Sequence, residues 1–212
     1  MARILITSGP TRQYLDPVRY LTNGSSGRMG KGLAEAALAL GHEVVIVSGP
    51  VVIDYPPQAK LIPIVSTEEL LAACEQEFPT CDGVIGAAAP CDYRPVMVAT
   101  QKLSKTGDGL DLHLIETPDV MATLGHSKRA GQWLVGFALE TDDQRFRALT
   151  KLQRKSCDLM VLNGPAAMDA LDNSVEIIAP HGEVLAQLTG SKSEVARGIL
   201  AIIQQRLIAS PY

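Results

Sequence analysis

Ile4-Leu5-Ile6-Thr7-Ser8-Gly9-Pro10 decides how this chain is read: an uncharged apolar run that stops at Gly-Pro, as a buried parallel strand does. Val44-Val45-Ile46-Val47-Ser48 has the same form and ends at Gly49-Pro50. Between them, residues 28–40 carry apolar side chains at helical spacing and stop at Gly41, a residue suited to ending a helix. A third strand is predicted over 61–65. Thr67 is then expected to cap a helix whose first turn holds Glu68 and Glu69. Further strands are predicted over 83–87, 134–138 and 159–162, with a basic helix over 142–155 between the last two. Alternation of this kind predicts an α/β fold: a doubly wound, mostly parallel sheet covered on both faces.

Two stretches depart from that rhythm. Residues 102–114 are charged and Gly-rich, then alternate as Leu110-Asp111-Leu112-His113-Leu114, which predicts a mobile loop feeding a half-exposed strand. Residues 174–178 and 184–188, joined around His181-Gly182, predict a late antiparallel hairpin, with a final helix from Ser191. No repeat, low-complexity tract or linker interrupts the 212 residues, so one domain over 1–212 is expected.

Composition narrows the function. The chain is 46% hydrophobic, yet no run approaches the roughly 20 apolar residues of a membrane span. The start lacks the pattern of a secretory signal, so a cytoplasmic protein is expected. A net charge of −4 argues against bulk nucleic-acid binding. Cys74, Cys81, Cys91 and Cys157 show neither CxxC nor His-rich spacing, and read as reduced thiols.

Four segments could carry chemistry. In Asn23-Gly24-Ser25-Ser26-Gly27-Arg28-Met29-Gly30, small residues allow close backbone approach, and the helix that follows turns its N–H groups toward an anion. This is neither GxxxxGK[ST] nor a GxGxxG turn directly after the first strand. Gly86-Ala87-Ala88-Ala89-Pro90-Cys91-Asp92 lies at the carboxyl end of a predicted strand, where open sheets bind ligands. A planar base could lie on such small side chains, with Asp92 accepting its donors. Lys102, Lys105, Lys151 and Lys155 could converge on a triphosphate, although a solvated basic face is the ordinary explanation for such charges. Phe137, at a strand end, could pack on a ribose or base, or belong to the core.

Taken in order, these segments resemble the phosphopantothenoylcysteine synthetase (phosphopantothenate–cysteine ligase) family. So do Thr7-Ser8-Gly9-Pro10-Thr11-Arg12, Leu15-Asp16-Pro17-Val18-Arg19-Tyr20, Asp92-Tyr93-Arg94 and Gly136-Phe137-Ala138-Leu139-Glu140-Thr141. In many bacteria that family forms half of a bifunctional coenzyme A biosynthesis protein. The resemblance runs from about residue 3 to 207 and implies a Rossmann-like, dimeric ligase. Such a ligase activates 4′-phosphopantothenate with CTP and Mg²⁺ as an acyl-cytidylate, releasing pyrophosphate; L-cysteine then displaces CMP. It further implies nucleotide contacts at Gly86, Ala87, Ala88, Asp92, Lys102, Pro118, Asp119, Val120, Met121, Phe137, Lys151 and Lys155. Asn23 and Lys102 match the family's catalytic residues, while Arg19, Ser25, Ser26 and Gly27 fall in its phosphate- and acyl-binding loop.

The chain departs from the family pattern at Asn163-Gly164-Pro165, where Asn-Asp is usual, and its basic loop has one lysine fewer than some relatives. The flavin-dependent decarboxylase half is absent from the sequence, which makes a separate phosphopantothenoylcysteine decarboxylase a candidate partner. A homodimer is expected, its interface on the 174–188 hairpin or the 110–114 strand. The competing reading, a Rossmann-type NAD(P)-dependent reductase or epimerase, would want a Gly-rich turn directly after the first strand and a Tyr-xxx-Lys relay.

Overall fold

The computed structural model describes residues 1–139, 142–163 and 172–209. Eight strands form one sheet in the order β12-β11-β10-β9-β6-β1-β4-β5. These are β1 (Arg3–Ser8), β4 (Glu43–Ser48), β5 (Lys60–Pro63), β6 (Gly83–Gly86), β9 (Trp133–Leu139), β10 (Leu159–Asn163), β11 (Asp172–Ile178) and β12 (Val184–Ser191). The first six run parallel, and the last two close the edge as an antiparallel pair. Two short ribbons stand apart from the sheet: β2 (Arg12–Tyr14) with β3 (Tyr20–Thr22), and β7 (Tyr93–Pro95) with β8 (Leu114–Glu116).

The period-two alternation of buried strands sorts the side chains between two cores. Ile4, Ile6, Val44, Ile46, Val135 and Val161 face α1 (Arg28–Ala39) and α5 (Lys192–Ile203), meeting Leu33, Ala37, Val195 and Ile199. Leu5, Val45, Val47, Leu134 and Leu162 face the other way, against α2 (Thr67–Glu77), α3 (Val120–Ser127) and α4 (Gln144–Arg154). All four cysteines are buried and unbridged. Burial pushes the thiols of Cys74 and Cys157 up to about 12 and raises those of Cys81 and Cys91.

Three expectations change. Ser66, not Thr67, caps α2 by accepting the Glu69 N–H; Thr67 lies inside the helix, its hydroxyl 2.9 Å from that of Thr11. The strand expected over 110–114 begins only at Leu114, because its partner β7 ends at Pro95. After one more bond, Val96 N–H to His113 O, the chain leaves toward Leu15, and residues 110–112 have nothing to pair with. The late hairpin is longer than expected and spends its apolar side chains at home. Val175 and Ile177 are buried under α5, with Leu185 and Leu188 packed beside them. A group of exposed apolar residues lies instead around β7 and β8, including Val96, Met97, Val98, Leu110, Leu112 and Ile115, with others such as Val52 and Phe146 scattered elsewhere.

Candidate functional site

The chain leaves β1 toward β4 on one side of the sheet and returns to β6 on the other. That reversal opens a crevice beyond the carboxyl ends of β1 and β6, where open α/β sheets hold ligands. Thr7, Ser8 and Gly9 end β1, and the segment after β6 is sewn to them. Ala87 N–H donates to Thr7 O at 3.2 Å, Ala88 N–H to Thr7 Oγ1 at 3.2 Å, and Ala89 N–H to Gly9 O at 2.9 Å.

The small-residue loop enters α1 through Gly27, which holds φ at +73°, a conformation that costs glycine little. Ser8 Oγ donates to Gly27 O at 3.2 Å, and Tyr55 OH bridges Ser8 Oγ and Ser48 Oγ at 2.8 Å each. Gly30 lets α1 lie close against the end of β1: a Cβ there would stand 2.1 Å from Ser8 Oγ. Among the described residues, no side chain caps α1 and no acidic residue occupies its first turn. Its first N–H groups and positive dipole end are left for an anion.

A threonine network fixes the segment that carries Asp92. Thr11 Oγ1 accepts the Cys91 N–H at 2.8 Å, Thr67 Oγ1 and Thr117 Oγ1 donate to Cys91 O, and Thr117 N–H donates to Asp92 O at 2.9 Å. Asn23 Nδ2 donates to Pro90 O at 2.9 Å, joining the small-residue loop to this segment.

The expected lysines separate. Lys151, on α4, faces the cleft beside Phe137. Lys155, one turn later, is the C-cap residue of α4, its Nζ 3.0 Å from Asp119 Oδ1; Arg154 reaches Asp119 Oδ2 at 3.1 Å. Asp119 also caps α3 by accepting the Ala122 N–H at 3.1 Å. Burial pushes its carboxyl up, but Lys155, that N–H and Arg154 together hold it below the usual range. Pro118 precedes this cap, Val120 is buried, and Met121 packs on Gly86, whose Cβ would meet Met121 Sδ at 2.5 Å. Lys102 is exposed in the loop after β7, outside the cleft lining. Its neighbour Leu103 donates its N–H to Asp16 Oδ2 at 3.1 Å and accepts Arg19 Nη2 at 2.7 Å. Burial pushes the Asp16 carboxyl up, but the N–H groups of Val18, Leu103 and Arg19, with the Arg19 guanidinium, bring it below its ordinary range.

The resulting cleft has a volume of about 510 Å³. It gathers Asn23, Ser25, Ser26, Gly27, Ala87, Ala88, Asp92, Phe137 and Lys151 from the expected set; Gly86, Arg19, Lys102, Lys155 and 118–121 stand outside its lining. Sequence reading missed Asn173 and Lys192, which also line it, as does Asn163, singled out only as the start of the departure from the family pattern. Each stands alone in its segment, so only the helical start at Ser191 hinted at Lys192. Tyr55 was missed too, since a lone tyrosine in a loop gives no periodic signal. Glu140, Thr141 and 164–171, which include the Gly164-Pro165 departure, lie outside the described residues. Among the described residues the cleft wall carries three cationic side chains, Arg28, Lys151 and Lys192, and one carboxylate, Asp92, a composition suited to an anionic ligand.

Residues 1–207 match the DNA/pantothenate metabolism flavoprotein C-terminal domain family. The chain belongs to that family. It is 43% identical over 202 residues to the coenzyme A biosynthesis bifunctional protein CoaBC of Bacillus subtilis, covering 93% of this chain and 50% of that protein. To CoaBC of Vibrio vulnificus it is 39% identical over 207 residues, covering 95% and 51% respectively. The chain thus spans about half the length of the curated relatives it matches. The crystal structure of the C-terminal domain of CoaBC superposes with a TM-score of 0.84 at 39% identity, covering 98% of this chain and 96% of that one. The family read from the motifs and the mostly parallel sheet with a late antiparallel pair are both borne out.

Proposed function

We propose that this domain is a phosphopantothenate–cysteine ligase of coenzyme A biosynthesis, joining 4′-phosphopantothenate to L-cysteine through an acyl-cytidylate formed from CTP. The observation that carries the reading is the cleft at the sheet's switch point, lined among the described residues by an uncapped helix N-terminus, the basic side chains of Arg28, Lys151 and Lys192, and Asp92. Such a site suits a phosphorylated acid and a nucleoside triphosphate together.

In this reading the base lies on Ala87 and Ala88 with Phe137 beside it, and Asp92 accepts its exocyclic donors. Lys151 and the first turn of α1 take the phosphates. Asn23, held by Pro90 O, orients the acyl group, and Lys102 swings in with its loop to offset charge at the attacked phosphorus. The described residues hold no group of three or more His, Cys, Asp or Glu side chains placed for a metal. Mg²⁺ carried by a triphosphate can be held largely by the phosphates and water; Asp92, the one carboxylate among the described residues of the cleft wall, is engaged by the base in this reading. Bound with the triphosphate, the ion would offset phosphate charge.

CTP rather than ATP, a cytoplasmic setting and a separate decarboxylase partner belong to the same proposal. The decisive assay follows pyrophosphate release with 4′-phosphopantothenate, CTP and L-cysteine. Release that requires the acid, with ligated product requiring cysteine, supports the reading; turnover without either sinks it.

A further inference from the structure

We infer that Lys192 and Asn173 form a further phosphate-binding corner of the cleft, one that takes a phosphate group with a hydroxyl donor close by. The inference rests on the proposed ligase reading only for the identity of its ligands. Lys192 is the first residue of α5 and lines the cleft half-buried. Among the described residues it has no carboxylate partner. Helix α5 needs nothing from it, because Ser191 and Glu194 cap each other there in a reciprocal box.

Placement makes that cation useful. A Cβ on Gly32 would lie 3.4 Å from Lys192 O and 3.1 Å from Ala196 Cβ, so the opening turns of α1 and α5 abut. Lys192 therefore shares one end of the cleft with the uncapped N–H groups of α1, while Lys151 lines it from α4. A cation beside a helix N-terminus is a strong arrangement for phosphate.

Asn173 adds an independent sign of a ligand. It lines the cleft, only 4% of its surface is exposed, and its Oδ1 is buried with no hydrogen-bond partner among the described residues. Its Nδ2 makes one long bond, 3.4 Å, to Asn163 Oδ1. A buried acceptor without a donor bears its full desolvation cost. A ligand hydroxyl or amide N–H would remove it. A nucleotide carries a hydroxyl near its phosphates, and so does phosphorylated pantothenate. The chemistry is shared, and binding measurements separate the two sources.

The test uses Lys192→Gln, Lys192→Arg and Asn173→Ala in the whole chain. Each is titrated calorimetrically with CTP, with 4′-phosphopantothenate and with inorganic pyrophosphate, at two salt concentrations. Lys192→Gln should weaken at least one ligand about tenfold or more and flatten its salt dependence, while Lys192→Arg keeps most of the affinity. Asn173→Ala should weaken the same organic ligand and spare pyrophosphate. The ligand affected names the source. If the unsubstituted protein binds CTP and phosphopantothenate and Lys192→Gln binds every ligand within twofold, the corner is no phosphate site, and the ligase reading survives. If pyrophosphate alone binds and Lys192→Gln weakens it, the corner stands and the ligase reading falls. Binding of none of the three overturns both. Melting temperatures of the variants separate misfolding from lost contact.

Discussion

Asp16 accepts the backbone N–H of Leu103 across 87 residues of sequence, so a buried carboxylate holds the root of the loop that bears Lys102. Arg19 completes the clasp, 3.5 Å from Asp16 and donating to Leu103 O. Asp16→Asn keeps the size but loses the charge and part of the accepting capacity. It should slow pyrophosphate release about tenfold while shifting CTP affinity far less, since such charge-assisted bonds count for more than neutral ones. The carboxyl's folded pKa is depressed, so its contribution to stability is full above the unfolded value of 3.8 and fades as pH falls through the folded one. Loop protection in hydrogen exchange should hold from pH 6 down to about pH 3.8 and fade as pH falls further; protection that stays flat well below 3.8 would refute the clasp.

Lys102→Gln removes the cation expected at the attacked phosphorus. Loss of one such electrostatic group costs on the order of 10²–10³ in rate. Single-turnover pyrophosphate release should fall by that much. A drop of less than about fivefold would leave Lys102 a solvated loop charge, as its exposure outside the cleft lining allows.

Asn23→Asp should spare nucleotide binding and stall the second half-reaction. Aspartate cannot donate to Pro90 O, and its charge would oppose the acyl-phosphate. Rapid mixing should show a burst of pyrophosphate with CMP released slowly afterwards. Normal CMP release would show that the acyl group lies elsewhere.

Gly30→Ala tests how closely α1 must approach β1. The added methyl would stand 2.1 Å from Ser8 Oγ, at a buried position on the cleft floor. Overpacking of this kind costs about 1–3 kcal/mol. Denaturant melts should register that loss, together with weakened ligand binding, because Ser8 also holds the Gly27 carbonyl.

A homodimer remains the proposal, with its seam on the second of the two expected places, around residues 110–114 and the ribbon of β7 and β8. Two-stranded ribbons are marginal alone, and this one leaves Met97 84% and Leu110 60% exposed. A second copy meeting it across a two-fold axis would cover both. Light scattering should give twice 22.6 kDa, falling to 22.6 kDa in Met97→Lys with Leu112→Lys. By contrast Val175→Lys should unfold the chain, since Val175 lies 2% exposed beneath α5.

What the sequence revealed, and what it hid, follows the range of the forces involved. Apolar runs such as 4–8 and 44–48 are buried on both faces, so their pattern is local and complete, and the sheet could be read from them. The small-residue loop was legible for the same reason: Gly27 and Gly30 answer constraints of backbone and close approach. Thr67 misled because Ser66 offers the same capping chemistry one residue earlier, while the threonine's hydroxyl serves Thr11 far away in sequence. Asn173 and Lys192 were invisible because they reach the cleft only through strand pairing, Asn173 opposite Gly190, and through the packing of α5 on α1. The late hairpin offered apolar residues without saying which element would cover them.

The buried cysteines bear on the life of a protein proposed to work among free amino-acid thiols. Thiol–disulfide exchange requires thiolate, and all four side chains have pKa values raised by burial, two to about 12. At neutral pH almost none of that sulfur is nucleophilic, even in Cys91, which sits next to Asp92 on the cleft wall. Cystine or an alkylating agent would find little to react with until the fold opens. If the proposed substrate is a free thiol, the disulfide it forms on oxidation would find little protein thiolate to exchange with.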